Sequence, residues 1–135
     1  MMATVWRVED RAERVLGCRR AFREHIASIA SPGESDVDAA ELIYGELVAN
    51  TLRHAHGAVE ARLDIDDRRP VLVVRDHGPG LRATPWSPHR DPYAESGRGL
   101  AIVELLACEI DVDQAEDGGT IVRATLPVTP RDGVA

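Results

Sequence analysis

The segment Val37 to Ala55 constrains this chain more than any other. Its apolar and small residues recur at helical spacing, with Val37, Ala40, Tyr44, Leu47, Val48, Thr51 and Ala55 on one side. Beside that stripe runs a second one, in which Glu46, Asn50 and His54 repeat at i, i+4 and i+8. Residues four apart stack on one helix face, so a carboxylate, an amide and an imidazole line up next to the side that packs. A carboxylate can take a proton from a hydroxyl or a water. A neutral amide oxygen is a hard ligand of the kind Mg²⁺ accepts, with phosphate oxygens and water completing its shell. The solvated back of an ordinary amphipathic helix has the same pattern, so the stripe alone leaves both readings open.

Three further signals follow in order. Val71-Leu72-Val73-Val74-Arg75-Asp76-His77-Gly78-Pro79-Gly80 is an apolar strand running into D-x-G-x-G. Glu95-Ser96-Gly97-Arg98-Gly99-Leu100-Ala101-Ile102-Val103 is a G-x-G-L step opening an apolar helix, and Gly118-Gly119-Thr120 heads a final strand, Ile121 to Leu126. Taken singly, each has an ordinary structural reading: Asp and Gly at a strand-to-turn junction, glycine before a helix, a β-branched residue starting a strand. Together, E-x-x-x-N, D-x-G-x-G, G-x-G-L and G-T resemble the N, G1, G2 and G3 boxes of the GHKL superfamily of Bergerat-fold ATPases. The E-S-G-R-G-L-A-I-V-E phrasing and the short length resemble the bacterial anti-sigma-factor serine kinase-like group. The resemblance spans nearly the whole chain.

The resemblance implies a site for ATP and Mg²⁺. It assigns Glu46 as general base toward a hydroxyl nucleophile and Asn50 as the metal ligand. It places Arg53, Asp76, Gly78, Gly80, Gly97, Arg98, Gly99, Leu100 and Thr120 around the nucleotide. Asp76 would accept from the exocyclic amino group of adenine. An ionised carboxylate only accepts hydrogen bonds, and guanine offers a carbonyl oxygen at that position, so the same contact would reject it. Gly78 and Gly80 would let the backbone approach the base with no Cβ in the way. Gly97 and Gly99 are expected to precede a helix whose free N–H groups and positive end attract phosphate. The loop from Leu81 to Ser96, with three prolines and no periodicity, occupies the place of the family's ATP lid. Thr51 stands where the family usually has alanine.

Composition narrows the alternatives. A chain of 135 residues fits one domain with a real core, expected over 1–128 with a flexible tail over 129–135. The net charge of −7 lacks the positive footprint that direct nucleic-acid binding needs. All 16 basic residues are arginine, so a P-loop lysine is absent. Cys18 and Cys108 form no C-x-x-C, and reduced buried thiols are expected. His54 and His56 make an H-x-H without further ligands nearby, and His25, His77 and His89 form no constellation. Neither a secretion signal nor a run of membrane-spanning length is visible, which points to a cytoplasmic protein.

The chain reads as a short edge strand (Ala3 to Val8), a helix from Asp10 carrying Val15, Phe22, Ile26 and Ile29, and the helix described above, capped by Ser35 or Asp36 and ended by Gly57. A half-buried strand (Val59 to Ile65), the strand Val71 to Val74, a helix (Leu100 to Cys108) and a hairpin of Ile110 to Gln114 with Ile121 to Leu126 follow. This order suggests an α+β two-layer sandwich, a mixed, mostly antiparallel sheet with helices on one face.

Within the superfamily, a sensor histidine kinase needs a helical dimerisation region bearing its phospho-acceptor histidine, and topoisomerase, chaperone and mismatch-repair members need a transducer domain. Neither is seen in this sequence. The resemblance therefore implies a serine/threonine protein kinase acting on an anti-sigma-factor antagonist and binding a sigma factor, with homodimerisation left open. The alternative is a nucleotide-dependent anti-sigma binding module with little kinase activity. Arg19, Arg20 and Arg23 read either as a docking face for an acidic partner or as a solvated helix face.

Overall fold

A computed structural model describes residues 2–54, 57–65, 68–77, 95–116 and 118–132, with the side chains of 53–54 and 95–100 also outside the description. The elements are β1 (Ala3–Arg11), α1 (Ala12–Gly17), α2 (Arg19–Ile29), α3 (Val37–His54), β2 (Ala58–Ile65), β3 (Val71–Asp76), α4 (Glu95–Leu106), β4 (Glu109–Gln114) and β5 (Thr120–Thr125). The strands form one five-stranded sheet in the order β1-β2-β3-β5-β4. Every neighbouring pair is antiparallel, so the described sheet has none of the parallel pairing that a mixed sheet would include.

Alternation along the strands builds the core. Registry aligns Ala61 with Val74 and Val122, and Leu63 with Leu72 and Ala124. These residues pack on Val15, Phe22, Ile26, Ile43, Tyr44, Leu47, Val48 and Val103 from the four helices, so the helices cover one sheet face. Trp6 stands edge-on to Phe22 and Tyr44 at 5.5 and 5.9 Å, and the buried Tyr44 hydroxyl donates to the Val15 carbonyl at 2.6 Å. Each aromatic contact adds about 0.5–1.5 kcal/mol beyond burial.

Several boundaries differ from the sequence reading. β1 runs on to Arg11, and the single first helix is two, broken at Cys18, whose φ of −84° and ψ of 7° leave the helical region. Gly17 just before it is a poor helix former. Strand β2 is buried on nearly all positions. Its outward residues Glu60 and Asp64 are covered by Arg7 and Arg62, so charge pairing replaces the solvent that alternation predicts. Asp36, not Ser35, caps α3, its Oδ1 accepting from the Ala39 N–H at 2.9 Å. Gly57 has the left-handed φ of +92° that a non-glycine residue rarely adopts.

Residues 129–131 are tied down where fraying is expected: Ser31 N–H donates to the Thr129 carbonyl at 2.7 Å, and Arg131 N–H to Ile29 at 2.9 Å. The thiols differ as well, since Cys18 is half-buried and Cys108 exposed at the turn between α4 and β4. No helix among the described residues is long and apolar enough to cross a membrane.

Candidate functional site

Helix α3 has two polar flanks. On one, Arg19 and Arg23 of α2 reach Glu41 at 3.2 and 2.6 Å, and Arg23 also reaches Asp38 at 2.6 Å. The Arg19 guanidinium lies over Gly45, where an added Cβ would come within 2.7 Å of Nη1. Arg20 pairs with Glu24 along its own helix at 3.7 Å. The arginine cluster is thus engaged within the molecule.

Glu46 and Asn50 occupy the other flank, roughly 140° and 180° around the helix from Glu41 at about 100° per residue. Glu46 is half-buried. Asn50 is only 8% exposed, and its Oδ1 is buried with no hydrogen-bond partner among the described residues. Leaving a buried acceptor unsatisfied costs about 1–3 kcal/mol, and such atoms are rare enough to call for an explanation. An oxygen ligand site for a hard cation is one that fits the chemistry of the group. Among the described residues there is no cluster of three or more His, Cys, Asp or Glu that could hold a metal, so the metal reading rests on Asn50 and on oxygens from a nucleotide.

At the end of β3, Asp76 is 2% exposed on the core side of the sheet. The backbone N–H of Thr120, first residue of β5, donates to its Oδ1 at 3.2 Å. Thr120 is 4% exposed, and its hydroxyl has no hydrogen-bond partner among the described residues. The sheet order thus makes neighbours of the D-x-G-x-G aspartate and the G-T threonine, while α3 packs on both β3 and α4. Two buried oxygens without partners, Asn50 Oδ1 and Thr120 Oγ1, belong to the boxes that the sequence singled out.

The glycine box sits differently from expectation. Gly97, Arg98, Gly99 and Leu100 lie inside α4, which starts at Glu95, rather than before a helix. The N–H groups of the first turn of a helix lack internal partners, so Gly97 falls in the turn where such donors lie, while Arg98 and Gly99 fall where the helical ladder has begun. Arg53 lies in the last turn of α3, its side chain outside the described residues. Gly78, Gly80 and the loop positions 81–94 fall outside them as well.

One pairing escaped the sequence reading, which found no constellation for His77. Its Nε2 is 2.9 Å from Glu9 Oε2 on β1. No local signal announces it, because a strand intervenes between the two.

The sequence profile of the histidine kinase-like ATPase domain family matches residues 8–126. The chain belongs to this family. It is therefore an ATP-binding domain of the GHKL superfamily. It is 27% identical to the signal transduction histidine-protein kinase AfsQ2 of Streptomyces coelicolor, over 90% of this chain and 26% of that protein. It is 29% identical to the sensor protein RstB of Escherichia coli K12, over 62% of this chain and 23% of that protein. The chain thus spans about a quarter of the length of these curated relatives. In structure it is similar to the histidine kinase AdeS of Acinetobacter baumannii, with a TM-score of 0.54 and 16% identity over 94% of this chain and 68% of that one, which establishes the fold. These relatives are histidine kinases and a sensor; the narrower anti-sigma-factor kinase group is not what they single out.

Proposed function

We propose that this domain is a protein kinase that transfers the γ-phosphoryl group of ATP to a side chain of a partner protein. The observation that carries this reading is the unsatisfied, buried Oδ1 of Asn50 one helical turn after a half-buried glutamate. The two residues differ in the way their roles require: the amide is sequestered with a spare acceptor, and the carboxylate is reachable from solvent. Asn50 would hold Mg²⁺ on the triphosphate, with Arg53, Gly97, Arg98, Gly99 and Leu100 around the phosphates. Bound Mg²⁺ would neutralise charge on the phosphate oxygens during transfer. Asp76 would accept from the adenine amino group, supported by the Thr120 N–H that already holds one of its oxygens, while the Thr120 hydroxyl would meet the base or a water. Gly78 and Gly80 would give the base a close backbone approach.

Glu46 would remove the proton from an incoming hydroxyl as it attacks the γ-phosphorus, which releases ADP. The acceptor proposed is a serine or threonine of an anti-sigma-factor antagonist, with a sigma factor as the alternative binding partner. Similarity to a named histidine-protein kinase favours a second reading, with imidazole as the acceptor. The two leave chemically different products. A phosphoester on serine survives acid, whereas a phosphoramidate on histidine is hydrolysed by it.

Purified protein incubated with labelled ATP, Mg²⁺ and candidate antagonist proteins from the same genome should transfer label to one of them in acid-stable form. Acid-labile label on a partner would establish the histidine reading instead. Partner binding that depends on nucleotide, with no transfer to any candidate, would make the domain a binding module.

A further inference from the structure

The outward face of the sheet carries a polar chain that ends at the nucleotide-binding end of β3. Thr4 donates to Asp64 at 2.6 Å, Arg62 reaches Asp64 at 3.0 Å and Glu60 at 3.4 Å. Arg7 bridges Glu60 and Glu9, the latter at 2.8 Å, and Glu9 meets His77 at 2.9 Å. Registry explains how the last contact spans three strands. Arg11, Ala58 and the start of the exit from β3 share one row, with the His77 N–H donating to the Ala58 carbonyl at 3.3 Å. Neighbouring strands lie about 4.8 Å apart, so side chains on β1 and after β3 must cross some 10 Å to meet. Glu9 lies opposite Glu60, two residues along β2 from Ala58, so the contact runs diagonally across β2.

His77 is the residue directly after Asp76. Its backbone closes the last rung toward β2, and its ring nitrogen stands at ion-pair distance from Glu9 on β1, a contact of proximity and charge rather than of hydrogen-bond geometry. Asp76 on the other side is held to β5 through the Thr120 N–H. The exit of β3 is therefore pinned from both neighbouring strands, one pin on each side of the sheet plane. We propose that His77, held by Glu9, is a positioning residue for purine selection: it fixes the β3 exit so that the Asp76 carboxylate keeps the alignment that tells an amino group from a carbonyl. This rests on the reading of Asp76 as the adenine-recognising group.

The test compares affinity for ATP with affinity for inosine triphosphate, which carries a carbonyl oxygen where adenine has its amino group. Both are measured by calorimetry on the full chain with Mg²⁺. The wild type should prefer ATP. Asp76→Ala should abolish the preference, and a retained preference would remove the reading on which this inference stands. His77→Ala and Glu9→Ala should each shrink the preference by about three- to tenfold, and the double variant should lose no more than either single one, as coupled residues do.

His77→Gln, whose amide N–H can still reach a carboxylate, should recover most of the preference. Should His77→Ala fail to fold, Glu9→Gln, which keeps the shape of the side chain, reads the same quantity. If Asp76→Ala abolishes discrimination while the His77 and Glu9 variants weaken both nucleotides equally, the pair is merely structural and the inference is wrong.

Discussion

The two flanks of α3 are built from the same kinds of residue and end in opposite states. Toward α2, Glu41 and Asp38 are engaged by Arg19 and Arg23, and the Arg19 guanidinium lies over Gly45. On the other flank, Glu46 is half-buried and Asn50 is buried with an acceptor that has no partner among the described residues. Charges that find partners within the fold contribute structure, and modestly, because exposed pairs contribute little. A buried polar atom that lacks a partner costs free energy in the empty protein, and a ligand that satisfies it recovers that cost on binding. A polar stripe becomes informative only when the fold shows which of its atoms are already engaged.

The strongest test of the contrast is on the unsatisfied flank. Glu46→Gln should lower phosphoryl transfer by about 10²–10⁴-fold, as loss of a general base does, while ATP affinity stays close to that of the wild type. Transfer at the wild-type rate would dismiss Glu46 as the base. Next in size is Asp76→Ala, which should weaken ATP binding by about 10- to 100-fold through loss of a charge-assisted bond and erase discrimination against GTP. Calorimetry reads both quantities, and equal affinity of the wild type for ATP and GTP would end the role given to this aspartate.

Asn50→Ala and Glu41→Ala then set the two flanks against each other directly. Asn50→Ala should weaken Mg²⁺-dependent ATP binding by ~10-fold or more and change the melting temperature little, because the Oδ1 it removes has no hydrogen-bond partner among the described residues. Glu41→Ala should do the reverse, lowering the melting temperature slightly and leaving nucleotide affinity within about twofold. Identical profiles for the two variants would mean that the flanks do not differ in kind.

The smallest effect belongs to the core stripe between them. Burial raises the Tyr44 phenol well above its ordinary value, with the neighbouring Cys18 adding to the shift. The folded state therefore holds this proton more tightly than the unfolded chain. The stability it contributes is complete below about pH 10 and is lost as pH climbs from there toward the folded value. Tyr44→Phe should cost about 1 kcal/mol near neutrality, from the lost bond to the Val15 carbonyl, or ~4 °C in melting temperature. It should also flatten the alkaline decline seen by circular dichroism.

Local order in the chain was enough for most of the elements and for the succession of the boxes, though not for the break at Cys18 or the start of α4 at Glu95. Period-2 and period-3.6 alternation, the Asp36 region before α3 and Gly57 after it all act over a few residues, so they can be read without knowing the fold. Glu46 and Asn50 share a flank for the same reason, since helix geometry alone puts them there.

What remained was decided by strand order and by which element supplies a partner. The adjacency of Asp76 and Thr120 exists because β5 inserts beside β3. The burial of Glu60 and Asp64 depends on arginines, one of them from β1. The His77–Glu9 pair joins residues on either side of β2. The α2 arginines turned from a candidate docking face into ion pairs because α3 lies alongside. Each of these is a contact between residues far apart in sequence, and a polar group's state depends on the partner it meets there, a property that no local pattern carries.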